Sequence, residues 1–244
     1  MNVRSDEGVE RARNAPAPAR QRWAITFARE AATDAEVPNG RVYAAIWEAA
    51  LLESGLPVAT SESGRPRFAL GALLPAGVEG GAELAETWLT ERLAAWRVRA
   101  GLEAVVPSGH ELRSLEDIWL GAPPLPARVS GADYVVVLRQ APQREALEGA
   151  AARLLAAPTI PRERVKGTAT KTFDLRRLLI DIRMDDADGT ARSPRLRIRT
   201  RVHPEVGSGR PDDVLGALAD DLGVELMAAS VVRERLLLAE ELDA

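Results

Sequence analysis

Residues Pro194 to Val202 read Pro-Arg-Leu-Arg-Ile-Arg-Thr-Arg-Val. In an extended strand, successive side chains point to opposite faces, so Arg195, Arg197, Arg199 and Arg201 share one face and Leu196, Ile198, Thr200 and Val202 the other. Guanidinium groups about 7 Å apart along a strand (two residues at roughly 3.4 Å each) must meet carboxylates, stay in water or bind an anion. Upstream, Arg162, Arg164, Lys166, Lys171 and Arg176 extend the basic region, with Gly167-Thr-Ala-Thr170 as a donor-rich turn between the lysines. These nine residues are the candidate anion- or nucleic-acid-binding set. Arginine forks match phosphate oxygens two at a time, so RNA is the expected partner. The turn does not fit the Gly-x-x-x-x-Gly-Lys-Ser/Thr phosphate loop, and no cofactor is expected.

The strand's neighbour follows from the hairpin that Asp186 to Ser193, polar and Gly-containing, would close. A turn centred near Gly189 sets Asp185 against Arg195, Arg183 against Arg197 and Asp181 against Arg199. It also places Met184, Ile182 and Ile180 behind Leu196, Ile198 and Thr200. Opposite-charge cross-strand pairs contribute roughly 0.2–1 kcal/mol each, enough to favour this register. On this count Arg183, Arg197 and Arg201 stay unmatched and available to an anion. A solvated face held by salt bridges is the competing reading.

Other chemistry-bearing residues lack partners at useful spacing. The carboxylates of Glu79 to Glu86 and Glu111 to Asp117 read as ordinary surface, with no two fixed at the separation acid–base catalysis needs. His110, expected in a turn, and His203, expected at a strand end, have no metal partner three or four residues on. Ser61-Glu-Ser-Gly64 lacks a nucleophile-elbow context. Cysteine is absent, which excludes disulfides, thiol nucleophiles and Cys-ligated clusters. No catalytic or metal-binding residue is therefore assigned. Trp88, Trp96 and Trp119 read as core.

Formal charge is −4, which argues against general nucleic-acid affinity, yet residues 158–210 hold thirteen basic side chains against seven acidic ones. One face can thus be positive on an acidic chain. Only Lys166 and Lys171 among the 32 basic residues are lysine, a bias that a GC-rich genome explains better than selection for guanidinium chemistry. No apolar run reaches the roughly 18 residues that span a bilayer, and the N-terminus lacks a signal-peptide core. A soluble cytoplasmic chain with no membrane partner is expected.

The elements that must position these residues recur twice. After a Pro/Ala-rich stretch expected to be a disordered tail (1–20), alternation at Trp23, Ile25 and Phe27 predicts a strand over 22–29. A helix over 41–54 follows, with Val42, Tyr43, Ile46, Trp47 and Ala50 as its stripe and Gly55 past its end. Strands at 67–74 and 82–90, a helix at 92–100 ending at Gly101, and an irregular strand within 102–120 complete the first half. Residues 121–130, with three prolines, read as a semi-rigid linker. The second half repeats the order: strand 133–139, helix 143–156, strands 178–185 and 194–203, helix 211–222 with Gly223 beyond it, and a strand within 224–238. The expected fold is α+β, two tandem ferredoxin-like (βαββαβ) domains with antiparallel sheets, over 21–120 and 131–244. Convergent helix–strand grammar without duplication is the alternative.

Gly55-Leu-Pro-Val-Ala with Ser61, Arg65-Pro-Arg-Phe-Ala-Leu70, Leu74-Pro-Ala-Gly-Val-Glu79, Phe173-Asp-Leu-Arg176, Arg210-Pro-Asp-Asp-Val-Leu215 and Val231-Val-Arg-Glu-Arg-Leu-Leu stand in sequence order along the chain. In these blocks it resembles a bacterial family of uncharacterised, radical-SAM-associated proteins that occur alone or fused behind B12-binding radical SAM enzymes. It is a degenerate member. Asn39-Gly-Arg-Val42 stands where relatives carry Ser-His-Leu-Asp, and Ser63-Gly-Arg-Pro66 where they carry a Gly-Phe-Asn-Pro loop. The resemblance implies association with radical SAM chemistry and names no reaction. The reading is a non-catalytic accessory protein with a basic, RNA-binding sheet face. One alternative is a protein–protein adaptor docking on a radical SAM enzyme through its acidic first domain. The other is an enzyme on a phosphorylated or nucleotide-like substrate in the interdomain cleft.

Overall fold

The structure, a computed structural model, describes residues 16–32, 40–140, 142–166, 169–185, 194–203 and 207–242. The protein is mixed α+β, built on mostly antiparallel sheet, and its chain divides into two compact units. The first holds the described residues within 1–27, 38–71 and 84–126, and the second those within 28–37, 72–83 and 127–244. No helix among the described residues is long and apolar enough to cross a membrane.

In the first unit the elements run β1 (Gln21–Arg29), α1 (Gly40–Glu53), β2 (Phe68–Leu70), β3 (Glu79–Leu89), α2 (Ala95–Glu103) and β4 (His110–Ile118). The strands lie in the order β4-β1-β3-β2. Alternation in β1 buries Trp23, Ile25 and Phe27 against Tyr43, Trp47 and Leu51 of α1 and Val98 and Leu102 of α2. Gly55 takes φ +66° just beyond α1, the left-handed conformation that a helix stop asks of glycine. The stripe of α1 is rotated from the expected one, leaving Val42 and Ile46 exposed while Leu51 is buried. Gly101 does not end α2 but sits within it, where a Cβ would come 2.9 Å from the Leu56 side chain. Trp88 is buried as expected, whereas Trp96 and Trp119 are 73% and 76% exposed, because α2 and the end of β4 turn them away from the core.

In the second unit, β5 (Val129–Leu138) is followed by α4 (Arg144–Ala156), β6 (Pro161–Lys166), β7 (Ala169–Asp174), β8 (Leu179–Asp185), β9 (Arg195–His203), β10 (Gly207–Ser208), α5 (Pro211–Leu222), β11 (Ala228–Leu238) and a last turn, α6 (Ala239–Leu242). Four strands lie in the order β11-β5-β9-β8, every neighbour antiparallel, and β10 continues beside the end of β9. Tyr134, Val136, Leu138, Ile182, Leu196 and Ile198 are buried with Leu147, Ala151 and Leu154 of α4 and Val214 and Leu218 of α5. This is one sheet face under a helix layer. Pro211 and two aspartates open α5, and Gly223 closes it at φ +65°. The expected linker 121–130 instead carries a helical turn, α3 (Leu125–Arg128), with Leu125 buried, and runs directly into β5. Residues 161–174 form the β6–β7 hairpin. Of the expected N-terminal tail, residues 1–15 lie outside the described residues, as does the hairpin loop 186–193.

Two carboxylates read as surface are buried instead. Glu86 is paired with Arg22, whose Nε and terminal nitrogen donate to Oε2 at 3.2 and 2.6 Å. Arg22 also donates to the carbonyls of Ala122 at 2.5 Å and Pro123 at 2.9 Å, and its guanidinium lies 5.0 Å over the Trp88 ring. Glu83 is paired with Arg233, which binds the carbonyls of Leu73 and Ala72 at 3.1 and 3.0 Å. In each case a β3 glutamate neutralises an arginine that ties down a loop through its carbonyls. Burial without such partners would cost far more than the pair returns.

Candidate binding face

The second unit's sheet leaves one face uncovered by α4 and α5, and the arginine row lies on it. The β8–β9 register sets Asp185 opposite Arg195, Met184 opposite Leu196, Arg183 opposite Arg197, Ile182 opposite Ile198 and Asp181 opposite Arg199, as the sequence predicts. At the base a bulge shifts the pairing by one, so Thr200 meets Leu179 rather than Ile180. Leu196, Ile198 and Thr200 are buried, and Arg197 and Arg201 are exposed.

The ion pairs differ from those the register alone suggests. Asp185 accepts from Arg197 Nε at 3.1 Å, on the diagonal, and Arg197 donates a second bond to Glu234 of β11 at 2.6 Å. Arg197, expected to be unmatched, is therefore doubly paired. Arg199 turns from Asp181 to β5, where Asp133 stands directly opposite and accepts two bonds at 2.7 and 3.0 Å. Asp133 also accepts from Arg235 of β11 at 3.2 Å, and Arg235 reaches Glu241 at 2.6 Å. Asp181 is left to Arg183 in its own strand, 2.6 Å away. The physical reason is the third and fourth strands: β5 and β11 bring acidic residues a two-strand hairpin does not contain. Hydrogen bonds to Asp185 and Asp133 hold the Arg197 and Arg199 guanidinium pKa values above their ordinary range. Arg195 and Arg201 have no ion pair among the described residues.

A shallow cleft of about 140 Å³ opens on this face, lined by the side chains of Arg183, Arg197, Arg199, Asp133, Asp181 and Glu234. Three cations face three anions. Beside it, Val135, Val137 and Val232 form a half-buried apolar strip on the same face. The arrangement suits a partner that supplies charges of both signs around an apolar patch more than it suits a polyanion.

The upstream basic residues are not brought to the row. Arg162 donates to Asp220 of α5 at 2.5 Å, and Arg164 binds Asp213 of α5 and the Ser208 carbonyl, its guanidinium 4.3 Å over the Phe173 ring. Arg176 donates to the Leu179 carbonyl at 2.7 Å. These arginines fasten the β6–β7 hairpin and the turn after it to the unit. Lys171 is exposed on β7; Lys166 closes β6, and its side chain lies outside the described set, as do Gly167 and Thr168 of the expected turn. Asp133, Glu234 and Arg235 complete the face and were not anticipated. The available signal was Asp133 itself, a lone acid on one parity of a valine-rich strand.

His110 opens β4 instead of lying in a turn. Its Nδ1 is 2.9 Å from the Ser108 carbonyl, which only accepts, so Nδ1 carries the proton and Nε2 accepts from the Tyr43 hydroxyl at 2.6 Å. The ring stacks on Tyr43 with centroids 5.7 Å apart. No group of three His, Cys, Asp or Glu residues able to hold a metal occurs among the described residues.

A family model described as an uncharacterized protein conserved in bacteria (DUF2344) matches residues 43–210. No curated protein matches. Among solved structures, a chain of a Cbf5-Nop10-Gar1 complex is 13% identical over 88% of this chain and 48% of its own length, with a TM-score of 0.48. A chain of the archaeal box H/ACA sRNP Nop10-Cbf5 complex is 14% identical over 88% and 47%, TM-score 0.43. A chain of an H/ACA RNP bound to a substrate RNA containing 2′-deoxyuridine is 13% identical over 86% and 47%, TM-score 0.42. The chain spans about half the length of each.

Proposed function

The chain belongs to the DUF2344 family of uncharacterized proteins conserved in bacteria, and from its own surface we propose that it is a binding module that docks on a protein partner through the open sheet face of its second unit. One observation carries this: the arginine row is interleaved with Asp133, Asp181, Asp185 and Glu234, so its net field is small and its ion pairs are already formed. A phosphate backbone would have to displace those carboxylates and then lie beside them. A protein surface with both charge signs exchanges pairs instead, around the Val135, Val137 and Val232 strip, as interfaces with an apolar centre and polar rim do. The family resemblance makes a radical SAM enzyme the first partner to try. The strand orders in both units, with an α-helix on each crossover, support two ferredoxin-like units in tandem, the second carrying the β6–β7 hairpin as an insertion.

Isothermal titration of the full chain into a purified radical SAM enzyme of the same bacterium tests the reading. Binding should be lost on an Arg197→Glu/Arg201→Glu double change. No binding, or binding indifferent to that change, overturns it. A second reading, RNA held at the row's unpaired ends, rests on Arg195 and Arg201. Anisotropy titration with single-stranded RNA should then weaken steeply between low and physiological salt. Absence of binding at low salt removes that reading.

A further inference from the structure

Among the described residues of the second unit β8 pairs on one side only, with β9, and beyond Leu179, whose carbonyl accepts from Arg176, it presents an open edge. On the helix side of that edge lies an apolar groove of about 310 Å³, lined by Leu147, Ala151 and Leu155 of α4 and Ile182, Met184 and Leu196 below them. On the opposite side the edge carries Asp181, Arg183 and Asp185, acid, base, acid. Open strand edges recruit further strands unless blocked, and this one has an apolar groove running alongside it.

We propose that the occupant is a second copy of this chain, its β8 added antiparallel to β8 about a two-fold axis. The charges choose both the partner and the register. With Arg183 opposite itself, like charges would face each other along the whole edge. With Ile182 opposite itself, Asp181 meets Arg183 of the partner subunit and Arg183 meets Asp181 of the partner subunit. A two-fold contact repeats each pair, so the strand is complementary to itself in that register. The shift that puts Met184 opposite itself would draw on Asp185, which already accepts from Arg197, whereas Asp181 has Arg183 as its ion partner and Arg183 is 76% exposed. The Ile182-centred register is therefore the one used. Strands about 4.8 Å apart bring the two α4 helices alongside each other, with the exposed Ala152 and half-buried Leu155 next to the groove. The edge shares Asp181 and Arg183 with the docking face, but the two tests read different events, self-association here and binding of another protein, lost on changing Arg197 and Arg201, there.

Sedimentation velocity of the full chain across the micromolar range provides the test. A concentration-dependent dimer is expected. Arg183→Asp alone and Asp181→Arg alone should each weaken it roughly tenfold or more, because each replaces two attractive contacts by two repulsive ones. The exchanged double variant, Asp181→Arg with Arg183→Asp, should restore it, since the strand is again self-complementary. The chain has no cysteine, so Ile182→Cys should give an intermolecular disulfide on mild oxidation, in higher yield than Met184→Cys. A monomer at all concentrations, or a dimer that neither reversal weakens, overturns the proposal. So does a monomer that takes up an extended peptide of another protein at this edge.

Discussion

A buried charge states its own terms: it needs a counter-charge and enough donors or acceptors, or the fold loses several kcal/mol. Arg22 meets them with Glu86 and two carbonyls, although the second oxygen of Glu86, Oε1, finds no hydrogen-bond partner among the described residues. Arg22→Met should lower stability by about 3–5 kcal/mol in urea denaturation, because it strands the carboxylate in the core. Restoring neutrality with Glu86→Gln in the same chain should recover part of that loss. Tyr134 offers a pH-dependent counterpart. Burial pushes its phenol above the ordinary value, against the opposing pull of the Arg233 guanidinium. A raised folded pKa means that stability is full below the unfolded value of about 10 and is lost as pH rises beyond it. The Arg233 guanidinium also hydrogen-bonds the Tyr134 hydroxyl, so Tyr134→Phe should flatten that alkaline decline while costing roughly 0.5–1.5 kcal/mol at neutral pH for the loss of that bond. Denaturant midpoints at neutral and alkaline pH would separate the two effects.

At the scale of elements, what could be read in the sequence was whatever lies close along the chain. The β8–β9 register was legible because charge and apolarity alternate in phase on both strands, and a one-residue slip would bury arginines. The helix stops at Gly55 and Gly223 were legible for the same local reason. The destinations of the arginines were not. Arg199 finds Asp133 sixty-six positions away, and Arg164 finds Asp213 forty-nine positions away. Counting only the hairpin left Arg197 free when it has two partners. The basic set therefore separates into structural clamps, Arg162, Arg164 and Arg176, and a face on which Arg195 and Arg201 have no ion pair among the described residues. Trp96 and Trp119 were misread because residue type was taken for burial, and aromatic side chains at helix starts and strand ends need not point inward.

At the scale of the whole molecule, assignment to units does not follow the order of the chain. Residues 72–83 belong with 127–244, where Glu79 and Gly80 of β3 pair in parallel with Val232 and Arg233 of β11. Glu83 then supplies the counter-charge for Arg233. A chain that begins at Ala127 should accordingly fold poorly, with narrow amide proton dispersion and broadened lines by NMR, and supplying a 72–83 peptide in trans should spread and sharpen the spectrum. Arg233→Leu in the same fragment should improve it without the peptide.

Strand β3 carries Glu83 for one unit and Glu86 for the other, three residues apart. For heredity this makes the halves poor units of exchange. A recombination point placed between them, at the proline-rich stretch where composition invites it, would pass on one arginine without its glutamate. Shuffled relatives should therefore survive only when their crossovers keep β3 and β11 from the same parent.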